Sequence, residues 1–271
     1  MRSTLIASSA ALVLASVSAL AFTQAQQQFK YEVHDMKRPQ PSVVDPGPAG
    51  APALPPSDAV VLFGASKPDL SAWKGSNGDA KWKVLDGAMI VQPQSGDITT
   101  KESFGDVQLH IEWMVPADAK VEGQHGGNSG VFFMDRYELQ VLSSNPNVTY
   151  ADGMAGSLYG QYPPLVNACR PLGQWNVYDV VFRAPVFGKP VAGNDGAEAA
   201  ATVLHPASLT VFLNGVLVQD NAELLGATVH GARAQYKAHD ATGPIHLQDH
   251  GDPIRYRNIW LRKLASRGSA E

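Results

Sequence analysis

The chain has 271 residues, 44% of them apolar and 17% charged, and its 21 basic and 25 acidic residues give a net charge of -4. That length admits one large domain or two small ones, and the acid excess argues against a nucleic-acid partner bound by phosphate neutralisation. A single cysteine, Cys169, excludes an internal disulfide, so the fold must be held by burial, and Cys169 itself reads as a half-buried spectator.

Residues 1–25 carry one cation, Arg2, an apolar run from Leu5 to Phe22 broken by serines, and no acid. This is the pattern of a secretory signal peptide with cleavage before Gln26, too short and too interrupted for a spanning helix. The mature chain is therefore expected to be exported to the periplasm or the medium, with no membrane span. Residues 26–58 read as a linker: seven prolines lie between Met36 and Asp58, and proline removes backbone donors and favours extended chain. The expectation is a disordered spacer.

Residues 59–264 have a different texture, short strand-like runs separated by Gly, Asn, Asp and Pro. The clearest is Val107 to Val115, where Val107, Leu109, Ile111, Trp113 and Val115 alternate with Gln108, His110, Glu112 and Met114, the period of a strand with one buried face. Further runs begin at Lys81, Ala88, Gly130, Tyr137, Asn176, Leu209, Val216, Ile245 and Asn258, and Asn214-Gly215 is a tight hairpin signal between two of them. Lys189 to Pro206, rich in Ala and Gly, reads as a surface loop, and residues 265–271 as a tail. Many short strands without helical crossovers imply an all-β, antiparallel two-sheet sandwich, most simply a jelly roll.

Chemistry would reside among polar residues on the outer strand faces. These are Gln108, His110 and Glu112 on one strand and Arg136, Glu138 and Gln140 on another; if the two strands share a sheet, they line one groove with two carboxylates. Gln124-His125-Gly126-Gly127-Asn128-Ser129-Gly130 is a glycine-rich loop entering a strand, suited to a turn or to a ligand contact through Asn128. It lacks the Lys-Ser/Thr of a phosphate loop. Near the end, His246, Gln248 and His250 stand two apart, with Asp249 between the last two, and Arg255, Arg257 and Asn258 follow. Such groups serve as proton donors, metal ligands or hydroxyl partners. The loop from His230 to His239 adds two more histidines. No HExxH, CxxC or Gly-x-Ser-x-Gly pattern is present, and the Glu138 strand holds one carboxylate where a retaining glucanase needs two.

Gly127-Asn128-Ser129-Gly130-Val131, Tyr137-Glu138-Leu139-Gln140, Ala155 to Gly160, Gly173-Gln174-Trp175-Asn176, Leu213-Asn214-Gly215, and Leu247 to Gly251 followed by Tyr256-Arg257-Asn258-Ile259 occur in this order. Together they resemble the 3-keto-disaccharide hydrolase family over most of Val60 to Leu264. The resemblance implies a concanavalin A-like jelly roll acting on an oxidised sugar substrate, a glycoside carrying a C3 ketone, by C2-proton abstraction, elimination of the C1 aglycone and hydration. It implies Glu138 and His250 as the acid/base pair in unassigned order, with Asp249 orienting His250. Asn128, Gln140, Gln248, Arg257, Tyr159 and Glu112 are implied as substrate contacts. A divalent metal stabilising the enolate is open. Two departures stand out: Ser143 replaces a family Asp, and the position of His246 varies in the family. The competing reading is a non-catalytic, lectin-like carbohydrate-binding module, and convergence of Glu138 with the Gln248–His250 turn separates the two.

Overall fold

The computed structural model describes residues 30–188 and 202–267; the leader, most of the Ala/Gly-rich loop and the last residues of the tail lie outside them. Two antiparallel sheets pack face to face. The larger runs in the order Val216–Glu223, Ser208–Leu213, Asn176–Arg183, Val107–Met114, Arg255–Lys263, Ala88–Ile90 and Lys83–Leu85, with Val60–Phe63 also pairing to Arg255–Lys263. The smaller has the order Gly78–Asp79, Trp73–Gly75, Ile98–Thr100, Ile245–Leu247, Ser129–Phe133 and Tyr137–Val141. This is the expected all-β sandwich. Among the described residues the helical content is one 3-10 turn, Ala151–Gly153, and no helix is long and apolar enough to cross a membrane.

Alternation explains which sheet face meets which. Leu109, Ile111 and Trp113 from the larger sheet are fully buried against Val131, Phe133, Tyr137 and Leu139 from the smaller one. Phe133 stacks on Phe182 with ring centroids 4.7 Å apart. Each such side chain contributes about 1.5–3 kcal/mol on burial. Two tyrosine hydroxyls cross the core: Tyr178 Oη donates to Gln140 O at 2.6 Å, and Tyr256 Oη donates to Ser129 Oγ at 2.7 Å. Ser129 Oγ in turn donates to Gln248 O at 2.6 Å, so the core fixes the backbone at Gln248. The Asn214-Gly215 hairpin forms as expected, with φ of 55° and 82° at the two turn residues.

Three expectations need correction. The proline-rich stretch is not a free spacer but a strap on the domain. Val44 N donates to Asn167 O at 2.9 Å and Asn167 N to Ser42 O at 2.8 Å. Gln40 Nε2 donates to Thr149 O at 2.8 Å, Arg170 Nη2 to Gly47 O at 3.3 Å and Asn258 Nδ2 to Ala53 O at 2.9 Å. Proline removes N–H donors but leaves every carbonyl: Ser42, Gly47 and Ala53 accept from the domain through theirs, while Val44 N and the Gln40 amide donate to it. Second, the loop expected over Lys189 to Pro206 ends in a strand, Val203–His205, paired with Val186–Phe187. Third, the Glu112 and Glu138 strands lie in different sheets, so no single groove holds both carboxylates.

Candidate active site

The site stands on the outer face of the smaller sheet. In Tyr137–Val141 the odd residues enter the core, leaving Glu138 and Gln140 on the other face. Across the ladder Glu138 is opposite Phe132, Gln140 opposite Gly130, and Phe132 opposite His246. Gln248 joins the same face, its N donating to Gly130 O at 3.1 Å. The free edge of the Glu138 strand is covered. Gln140 N donates to Ser157 O, Gly156 N to Gln140 O, and Glu138 N to Thr228 Oγ1 at 3.0 Å. The covering segments bring Tyr159, Thr228 and His230 over the sheet and make a cleft of about 280 Å³.

Asn128, Glu138, Gln140, Tyr159, Gln248 and His250 all line this cleft, so six of the nine expected site residues converge. Glu138 is 5% exposed, and its oxygens accept no hydrogen bond among the described residues. Burial without a compensating charge raises its pKa to about 8. His250 is exposed at the mouth. Gln140 Nε2 donates to Gln124 Oε1 at 3.1 Å and Gly153 O at 3.2 Å, while its Oε1 is buried without a donor. Asn128 Nδ2 donates to Gln124 O at 3.0 Å. The side-chain amide of Gln248 has no partner among the described residues. One wall is aromatic: the Tyr150 and Tyr159 hydroxyls meet at 2.8 Å, and burial raises the pKa of both phenols.

Three assignments change. Asp249 does not orient His250: its Oδ2 accepts from Gly96 N at 2.9 Å and its Oδ1 from Gly251 N at 3.0 Å, so it shapes the turn. Glu112 and Arg257 pair with each other at 2.6 Å on the outer face of the larger sheet, across the sandwich from Glu138. His246, singled out by its spacing but set aside because its position varies in the resembling family, sits between Asp135 Oδ1 at 2.6 Å and Asp97 Oδ2 at 3.0 Å, and stacks under Phe132 at 4.6 Å. It braces the cleft floor.

Phe132 and Thr228 carried no sequence signal, and His230 was marked only by its histidine-rich loop. His34 was missed outright. It comes from the strap, stacks on Tyr150 at 3.9 Å and meets Tyr159 and His230 edge-on at 5.0 and 5.5 Å. Cys169 is fully enclosed, and burial pushes its thiol up to about 12. Among the described residues no group of three or more His, Cys, Asp or Glu side chains is disposed to hold a metal ion.

The sequence profile of the 3-keto-alpha-glucoside-1,2-lyase-like domain matches residues 58–262. A curated relative from Bacteroides thetaiotaomicron, named 3-keto-disaccharide hydrolase, is 23% identical over 233 residues, covering 72% of this chain and 75% of that one. A solved structure from Parabacteroides distasonis, provisionally named a glycosyl hydrolase, superposes with a TM-score of 0.70 at 42% identity, over 88% of this chain and 96% of that chain. A second structure from the same organism, with the same provisional name, has a TM-score of 0.50 at 19% identity over 77% of this chain and 94% of its own, a likeness of fold. With three quarters of its length matched by one profile and 42% identity to a structure of the same build, the chain belongs to the 3-keto-alpha-glucoside-1,2-lyase-like family.

Proposed function

We propose that this protein is an exported enzyme that cleaves 3-keto-glycosides, with Glu138 as general acid and His250 as base. The observation that carries the reading is the Glu138 carboxyl, buried, unpaired and raised to about 8, hence protonated at neutral pH beside an amide-lined cleft. Glu138 is the only acidic side chain lining that cleft among the described residues. An ordinary glycosidase needs two carboxyl groups, about 5–9.5 Å apart depending on stereochemistry. A C3 ketone removes the need, because it acidifies the C2 proton.

In this scheme His250 takes the C2 proton and the electron pair moves into a C2–C3 enolate. Gln248, whose amide is uncommitted, donates to the enolate oxygen, and Gln140 Oε1 accepts a sugar hydroxyl. The enolate then expels the C1 oxygen, which takes the Glu138 proton, leaving a C1–C2 alkene conjugated to the ketone. Water adds at C1 and gives its proton to Glu138; His250 returns the proton to C2. Both groups end as they began.

The test is to incubate the mature protein with a 3-keto-glycoside and with its unoxidised parent, in deuterated water, with and without chelator. Aglycone release from the keto substrate alone, with deuterium at C2, supports the scheme. Binding without release would favour the carbohydrate-binding module, and loss of activity with chelator would reveal a divalent-metal requirement. Export rests on residues 1–25, and a secreted product beginning at Gln26 is its test.

A further inference from the structure

A second pocket, of about 420 Å³ against about 280 Å³ for the Glu138 cleft, lies on the opposite side of the sandwich. Its floor is the outer face of the larger sheet, where His110 and Glu112 point away from the core. Asp179 Oδ1 and His110 Nδ1 are 2.7 Å apart. Asn258 Nδ2 donates to Glu112 Oε1 at 2.8 Å, and Arg257 Nε donates to Glu112 Oε2 at 2.6 Å. The Arg257 guanidinium lies 4.0 Å over the Trp175 ring, and His110 stacks on Trp260 at 4.9 Å. A bulge between Arg257 and Trp260, with Asn258 at φ 47°, is what delivers Arg257, Asn258 and Trp260 to one face. Regular alternation would have sent some of them inward.

The roof is the strap from Pro46 to Ala53, held at Gly47 by Arg170 and at Ala53 by Asn258. Its prolines, alanines and glycines carry no polar side chain, so recognition of a ligand falls to the floor and the mouth. A network that only seated the strap would close against it at the density of a protein interior. Here a pocket of small-molecule size remains. At its mouth the two terminal nitrogens of Arg257, the second oxygen of Asp179 and the Gln174 amide make no hydrogen bond among the described residues. Burial works against charge on His110, but the Asp179 and Glu112 carboxylates outweigh it and raise its pKa to about 9. His110 with Asp179 and Arg257 with Glu112 are therefore two internally offset pairs, which suits an uncharged ligand.

We propose that this pocket is a second saccharide site, binding an unoxidised neutral mono- or disaccharide unit through hydroxyls that meet Arg257, Asp179 and Gln174 beside Trp175. Hydroxyls both donate and accept, which matches fixed donors next to fixed acceptors. The site is separate from the cleft and does not rest on the proposed reaction.

The test is calorimetric titration of the full mature protein with trehalose, maltose and cellobiose. At least one should bind with a dissociation constant of about 10 mM or tighter, unchanged in Glu138→Gln and weakened at least about tenfold, roughly 1.4 kcal/mol, in Arg257→Ala. Because that change strands Glu112, Arg257→Lys is the second variant. It keeps the ion pair but loses the planar fork and the stack, and should weaken binding while leaving the melting temperature near wild type. No binding by any of the three sugars, binding indifferent to Arg257→Lys, or binding lost in Glu138→Gln would overturn the proposal.

Discussion

Gly130 lies beneath the Glu138 carboxyl: a methyl group at Gly130 would stand 2.6 Å from Glu138 Oε1 and 2.7 Å from Phe132 Cε2. The missing side chain is the space in which the acid sits. Gly130→Ala should displace the carboxyl or the ring at a cost of about 1–3 kcal/mol, with at least a tenfold fall in kcat/KM. Activity and thermal melting on the same sample check it, and unchanged kcat/KM would show that the carboxyl does not need this place.

Glu138 also sets a pH signature. Its pKa lies near 8 folded against an ordinary 4.5, so the folded state holds a proton that the unfolded chain has released between those values. Stability from this group therefore declines as pH rises from 4.5 to 8, and activity requiring the acid falls with an apparent pKa near 8. Glu138→Gln should abolish turnover and flatten the decline in stability, as read by urea denaturation from pH 5 to 9.

His34 is a positioning residue, acting through the Tyr150 and Tyr159 rings. Its stack on Tyr150 is of a kind worth about 0.5–1.5 kcal/mol. His34→Ala should lower kcat about 2- to 10-fold by that measure, with a smaller change in KM. His34→Phe keeps an aromatic face and should restore most of the rate. A loss of melting temperature with kcat intact would assign His34 to stability alone.

His110 predicts a pH effect of opposite origin. Its folded pKa of about 9 exceeds the ordinary 6.5, so its contribution is fully present below 6.5 and is lost as pH rises through 9. Asp179→Asn removes one of the two carboxylates that hold the charge. The variant should lose more stability at pH 6 than at pH 10, a difference that chemical denaturation at the two values measures.

Cys169 should be inert in the native protein. With its thiol pushed up to about 12 and no solvent access, iodoacetamide labelling at pH 8 should be slow until denaturant opens the core. Rapid native labelling would contradict the enclosed position.

The strand pattern was legible because each strand advertises itself locally. Val107–Met114 alternates residue by residue, and Asn214-Gly215 marks its turn by composition. The motif around Asn128, Glu138, Gln140 and the Gln248–His250 turn was legible for a different reason: those residues lie on neighbouring strands or at their ends, and their outward parity follows from alternation. What alternation could not supply was cover. Glu112 and Glu138 are both outward-facing, yet each is almost wholly buried, at 2% and 5% exposure. The strap lies over one and the Tyr159 and Thr228 segments over the other.

The sequence by itself determined the strand periods, the outward position of each carboxylate and the absence of disulfide support, because these depend on neighbours along the chain. Only the tertiary structure decided which sheet each carboxylate faces from, that a proline-rich segment would bind through its carbonyls, and that His34 would reach the cleft wall. Those outcomes depend on contacts between distant segments: His34 N donates to Asp152 Oδ2 at 3.2 Å across 118 residues, and Asn258 Nδ2 to Ala53 O at 2.9 Å across 205. Burial, and with it the proton held by Glu138, is a property of such contacts and not of any local run of residues.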